Sequence, residues 1–341
     1  MLSGEAFVCF RGLIALEVLE ALERASGGRP IHQLFDYVIG VSTGAILASL
    51  LAALKLPVAQ CKKIYRELAK QLFDQSRIWG ATGLLFSHSW YDTDAWTNML
   101  RQTMGERLMI DTAKDRRTPK IAFVSAVVNQ PRIETFLFRN YQPHPDRPSQ
   151  YPGTCQYKLW QGLQASGAAP GYFQECILDH YVHQDGGLLT NNPSALAIHE
   201  ASLLWPAESL HAVVSVGTGR WLQAYRVAPR APEYSSLREK VEKVIDSASD
   251  TEGVATMLQD LLPRDRYYRL NPYVSQVYTL DENREEMFDT MVTDAQLYIR
   301  KNAPKLQQTA HRLLLPRSPV QRLRDASLHF AVQQFNYQLD Y

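Results

Sequence analysis

The chain has 341 residues, 45% of them apolar and 21% charged, which is ample material for a sizeable core in one large domain or one and a half. Lysine plus arginine number 36 against 35 aspartate plus glutamate, and a net charge of +1 argues against bulk nucleic-acid binding. The four cysteines (Cys9, Cys61, Cys155, Cys176) stand far apart, without metal-type pair spacing, and read as reduced thiols of an intracellular protein.

No basic start precedes the first apolar run, which is too short for a secretory leader, and the last four residues carry no peroxisomal or retention tail. We therefore expect an intracellular protein, cytosolic or peripheral on organelle membranes.

Gly12 to Glu23 sets Leu13, Leu16, Leu19 and Leu22 at helical spacing, and Ser26 to Pro30 breaks that helix. Ile31 to Asp36 predicts a short helix. Tyr37 to Val41 is an apolar, β-branched run that predicts a strand, and good helix formers follow from Ala45 to Leu54. Tyr37 to Leu56 is long enough to cross a bilayer. Its two glycines, its hydroxyls and its β-branched opening favour a buried strand plus a buried helix instead.

Val58 to Phe73 predicts a second amphipathic helix, Ile78 to His88 a glycine-punctuated loop, and Asp94 to Met104 a further helix. Lys120 to Val128 and Glu134 to Phe138 read as strands joined by a turn at 129–131. Gln142 to Pro152 is a proline-rich surface loop, and Leu159 to Ala165 a helix. Cys176 to Val182 reads as a strand leading into His183-Gln-Asp185-Gly-Gly187. Pro193 to Trp205 predicts a helix capped by Asn192, and His211 to Val216 a buried strand stopping at Gly217 to Gly219. From 221 the texture turns polar and helical (237–262, 285–301, 320–335), after a Pro/Arg/Ser-rich linker at 227–236. Alternating strands and helices predict an α/β fold, a mainly parallel sheet flanked by helices. We expect a domain over 6–220 and a mostly helical C-terminal extension over 221–341 packed on it.

Two stretches carry chemistry. Gly40-Val-Ser42-Thr-Gly44 lies between the expected strand and helix, the context in which G-x-S-x-G forms a nucleophile elbow. Glycine at 40 and 44 lets strand and helix cross closely, and the helix N-terminus favours an anion beside Ser42. A serine that merely caps the helix is the plainer alternative. The second stretch is Asp185-Gly186-Gly187. Asp185 at a strand end can accept the Ser42 proton as general base and return it to the leaving alcohol, although an ordinary Asp-Gly turn has the same sequence. A Ser-His-Asp triad would instead draw on His199, His211, His311 or His329. His183 shares a strand side with Asp185 and reads as a neutral, packed histidine.

Four motifs in order carry a family resemblance: Gly40 to Gly44, Ala165-Ser-Gly-Ala-Ala-Pro-Gly-Tyr-Phe173, Asp185 to Gly187 with Asn191-Asn-Pro193, and Ser215-Val-Gly-Thr-Gly219. The chain resembles the patatin-like phospholipases, most closely the calcium-independent phospholipase A2 gamma branch. The resemblance implies a glycerophospholipid acyl-ester hydrolase with Ser42 as nucleophile, Asp185 as base and acid, an acyl-enzyme, and neither cofactor nor metal. Phospholipid is the implied substrate, met by peripheral association with membranes.

One part of the family pattern departs. The family opens with a strand and a glycine-rich oxyanion loop, of which only Arg11-Gly12 remains here. Phe7, Val8 and Cys9 fall on the three glycine positions and Ala6 on the acidic one, with too few residues ahead for the full first strand. Bulky side chains there hold the backbone off an ester, leaving Arg11, Gly12 and the amide of Thr43 as the oxyanion candidates. A non-catalytic or weakly active lipid-binding form is the alternative this departure raises. An apolar stripe on 320–335, with arginines nearby, reads as core or as membrane contact.

Overall fold

The computed structural model describes residues 2–4, 11–86, 91–221, 250–276, 278 and 284–316. In chain order the strands are β1 (Leu2–Gly4), β2 (Tyr37–Val41), β3 (Lys120–Val127), β4 (Glu134–Arg139), β5 (Gly153–Thr154), β6 (Cys176–Leu178), β7 (Tyr181–Asp185), β8 (Val213–Val216), β9 (Arg220–Trp221), β10 (Tyr267–Leu270) and β11 (Tyr273–Val274). The α-helices are α1 (Gly12–Ala25), α2 (Ile31–Leu34), α3 (Thr43–Ala48), α4 (Val58–Phe86), α5 (Thr93–Met104), α6 (Leu159–Ser166), α7 (Ser194–Leu204), α8 (Thr251–Leu261), α9 (Glu285–Lys301) and α10 (Ala303–Leu314). A π-helical turn, Ser49–Ala53, prolongs α3.

Among the described residues the central sheet runs β10-β8-β1-β2-β3-β4-β5, parallel from β10 to β3. β4 then turns back antiparallel on β3, through the turn expected at 129–131. The period-two alternation of β2 and β3 divides the core. Val38, Ile121 and Phe123 face one helical layer with α1 and α3, while Tyr37, Ile39, Val41, Ala122 and Val124 face α7 and α8. The run from 37 to 56 is thus a buried strand and a buried helix. Among the described residues no helix is long and apolar enough to cross a membrane.

Several sequence expectations are corrected. Helix α4 runs on through 86, so the loop expected from Ile78 is helical to that point; Gly80 and Gly83, which suggested the break, cost only ~1 kcal/mol each inside a helix. The strand expected over Cys176 to Val182 is a hairpin, with Asp179 in the left-handed region (φ 53°) at its turn. The cap of α7 is Pro193, whose carbonyl accepts the Ala197 amide; Asn192 sits one residue earlier and its Oδ1 accepts from the Ser194 amide and hydroxyl.

The stretch after 221 is not a helical extension alone. β10 joins the central sheet beside β8, so the expected boundary at 220 falls between two neighbouring strands of one sheet. Four residues, Tyr-Tyr-Arg-Leu, are too short a run for periodicity to reveal. The first strand is short, as the few residues ahead of the loop imply: three residues place β1 between β2 and β8. Residues 5–10, the 227–236 linker, His329 and the 320–335 stripe lie outside the described residues.

Candidate active site

Strand β2 makes its last pairing at Val41 with Val124, and the chain then turns at Ser42. Ser42 adopts φ 52°, ψ −117°, a conformation that costs an ordinary residue about 1–3 kcal/mol. Its carbonyl accepts from the amides of Ala45 (2.9 Å) and Ile46 (3.2 Å), which opens α3. A Cβ on Gly40 would lie 2.2 Å from the Gly44 carbonyl oxygen, so only glycine lets the strand pass under the first helical turn.

Asp185 arrives from the opposite direction. β7 runs antiparallel to β3 with Asp185 opposite Ser125, the rung next to the Val41–Val124 pair. Because β4 occupies the other edge of β3 over residues 122–127, β2 and β7 share one edge and meet end to end. Ser42 and Asp185 are the last residues of the two approaching segments. Gly186 makes the approach possible: a Cβ there would sit 2.4 Å from the Val124 oxygen.

Both side chains are buried. Asp185 Oδ1 accepts from the Gly187 amide at 2.8 Å. Burial pushes the Asp185 carboxyl up to about 7, and the Ser42 hydroxyl and the Gly187 amide keep it from rising further. Among the described residues neither Ser42 Oγ nor Asp185 Oδ2, both buried, has a hydrogen-bond partner.

Sequence reasoning had placed Ser166 in a motif without giving it a task. Its Oγ accepts from the Ser42 amide at 2.8 Å and donates to the Val124 carbonyl at 2.6 Å. Two residues on, the Ala168 carbonyl accepts from the Asp185 amide at 2.9 Å. The only signal was a hydroxyl in a run of small residues at a helix end.

The oxyanion candidates stand together in part. Gly12 opens α1 so close to the elbow that a Cβ on it would lie 2.5 Å from Thr43 Cγ2 and 2.4 Å from the Tyr65 hydroxyl. Tyr65 also donates to Thr43 Oγ1 at 3.4 Å. Arg11 precedes α1 and is half-buried. Gly4 pairs with both Gly40 and Val216, so β2 and β8 flank β1 two residues before Ser42 and Thr218 respectively. The Gly217–Gly219 turn there packs on Asn271, whose Oδ1 accepts the Gly219 amide.

Among the described residues the histidines His183, His199 and His211 are engaged with other partners. His183 is buried between Phe136 and Phe138, its Nδ1 at 3.0 Å from Ser125 Oγ, and burial lowers it to about 4. His199 stacks edge-on against Tyr151, His211 Nε2 meets the Arg312 carbonyl, and His311 is exposed on α10. Among the described residues no three His, Cys, Asp or Glu side chains converge as a metal site would require.

Residues 9–198 match the family model described as patatin-like phospholipase. The calcium-independent phospholipase A2-gamma of Oryctolagus cuniculus is 45% identical over 316 residues, taking in 92% of this chain and 40% of that protein. The human protein of the same name gives 45% identity over the same shares. Phospholipase A I of Arabidopsis thaliana is 27% identical over 358 residues, 90% of this chain and 27% of that protein. The chain thus spans less than half the length of these curated relatives. The family match takes in the serine elbow, the small-residue segment and the Asp-Gly-Gly turn alike, and this chain belongs to the patatin-like phospholipase family.

Proposed function

We propose that this chain hydrolyses the acyl ester of a glycerophospholipid through a Ser42–Asp185 dyad. The observation that carries the reading is the end-to-end meeting of β2 and β7 on one edge of β3, beside which Ser42 Oγ and Asp185 Oδ2 are buried without hydrogen-bond partners among the described residues. The names of the relatives supply the substrate class.

In this mechanism the Asp185 carboxylate takes the Ser42 proton as Oγ attacks the ester carbonyl carbon. The oxyanion forms beside the Thr43 amide and the first turn of α1. Collapse breaks the carbon–oxygen bond, and Asp185 returns the proton to the departing lysophospholipid oxygen. Water then gives a proton to Asp185 and attacks the acyl-enzyme, releasing the fatty acid and restoring Ser42. Because the substrate resides in a bilayer, the chain works at a membrane surface; flotation with phosphatidylcholine vesicles tests that. Mass-spectrometric mapping of a fluorophosphonate adduct tests the dyad. An adduct away from Ser42, or hydrolysis surviving Ser42→Ala, would refute it.

The sequence ahead of Arg11 supports a second reading, a lipid-binding form of low turnover, because Phe7, Val8 and Cys9 replace the glycines of the family's oxyanion loop. Turnover gained by placing three glycines at 7 to 9 would favour it. Full turnover in the natural sequence would end it.

A further inference from the structure

Along one edge of β3 the partner strand changes from β2 to β7 between two adjacent rungs, Val41–Val124 and Ser125–Asp185. Were β2 to continue, the Ser42 amide would turn to the Val124 carbonyl. A side-chain oxygen stands between them instead. Ser166 Oγ, at the last residue of α6, takes the Ser42 N–H at 2.8 Å and gives its own proton to Val124 O at 2.6 Å. The side chain is fully buried.

We propose that Ser166 is a positioning residue of the hydrolytic site: its hydroxyl is a spacer, one oxygen wide, that holds the Ser42 backbone off β3 and so sets the gap between Ser42 Oγ and the Asp185 carboxylate. The inference rests on the reading of Ser42 and Asp185 as nucleophile and base.

The local constraints explain why a spacer is needed. The carbonyl of Ser42 is fixed by the first turn of α3, so its amide is the remaining handle on a residue already in a costly conformation. Gly186 also passes so near the Val124 oxygen that a Cβ there would lie 2.4 Å from it, so this oxygen sits among closely packed backbone. The same segment steadies the other half of the site, because Ala168 O holds the Asp185 amide. Residues 166–168 thus grip both approaching chains. Without the hydroxyl, the Ser42 amide and Val124 carbonyl are left buried and unpaired, or the elbow shifts to pair them. Either response moves Ser42 Oγ relative to Asp185.

The test compares Ser166→Ala, Ser166→Thr and Ser42→Ala in the full chain. Readouts are hydrolysis of phosphatidylcholine in mixed micelles, the rate of fluorophosphonate labelling, and the melting temperature. Misplacement of a reacting group by about 1 Å costs on the order of a hundredfold, so Ser166→Ala should lose about ten- to a hundredfold in kcat and in labelling rate, with little change in KM. Its acid limb should move to higher pH, because the displaced Ser42 hydroxyl no longer holds the Asp185 carboxyl down. Ser166→Thr, which keeps a hydroxyl, should restore the limb even if it melts earlier.

A Ser166→Ala enzyme with the natural kcat and acid limb overturns the proposal whatever its melting temperature, as does a threonine variant whose limb stays with alanine's. If the alanine variant does not fold, Ser166→Cys, a weaker donor and acceptor, should give an intermediate kcat, and an unchanged kcat there is equally fatal. Hydrolysis surviving Ser42→Ala would bring down the nucleophile assignment and this inference with it. Loss in Ser42→Ala beside an unimpaired Ser166→Ala would sink the spacer alone.

Discussion

Two buried carboxylates, Asp185 at the end of β7 and Glu200 in α7, are held in opposite ways. Glu200 is 2% exposed and surrounded by donors: Arg139 Nε at 2.9 Å and Nη2 at 3.0 Å, the Tyr141 hydroxyl at 2.7 Å and Ser149 Oγ. Burial alone would raise its carboxyl, but the Arg139 guanidinium and the two hydroxyls outweigh burial and hold it below the ordinary range. Asp185 is as deeply buried, yet among the described residues its carboxylate completes a hydrogen bond only with the Gly187 amide, and its carboxyl rises to about 7. Burial is common to both. What separates the Glu200 clamp from the proposed base is which partners are withheld.

The largest expected effect breaks the comparison at the site. Ser42→Ala and Asp185→Asn should each lower kcat by on the order of 10⁴- to 10⁶-fold in a fatty-acid release assay, whereas Glu200→Gln should leave activity per folded molecule unchanged. Next is the clamp. Arg139→Ala leaves a buried charge unpaired and should destabilise the fold by about 3–5 kcal/mol in a urea melt.

A pH profile should sharpen the contrast. Asp185 must be ionised to act as base, so kcat/KM should fall about tenfold per pH unit below about pH 7. A profile flat to about pH 5 would contradict this account.

The smallest effect is on stability. The folded value of Asp185 (about 7) exceeds its unfolded value (about 3.9), so the folded state holds this proton more tightly. Its contribution to stability is therefore full below about pH 4 and lost as pH rises through about 7. Asp185→Asn should consequently melt above the parent near about pH 8, a gap that narrows toward about pH 4. The Glu200 contribution has the opposite sign, since its folded value is depressed, and it fades as the medium turns acid.

How legible all this was depended on how local the cause is. The elbow could be read because a β-branched run, two glycines and a helix former stand within a dozen residues, and the structure has the strand, turn and helix in that order. Asp185 could be picked out from its glycines, but that it meets β3 one rung beyond Val41 is a matter of register between strands about 60 residues apart in sequence, which no pattern encodes. Ser166 was silent for a related reason: a hydroxyl at a helix end looks alike whether it faces water or a distant amide. Helix α10 and strand β10 went unnoticed in a charged stretch where neither period is strong. At 78–86 the glycines misled, because a propensity penalty of this size is too small to end a helix by itself.

The place of β10 has a consequence for dissecting the molecule. The family match ends at 198, and the whole Ser42–Asp185 pair lies before it. Yet Val213–Val216, every residue buried, would become a bare apolar margin in any fragment that stops short of 270. Such a margin recruits strands from other molecules. The smallest piece that can be handled alone is therefore set by insolubility rather than by chemistry, and it must reach well past the proposed dyad.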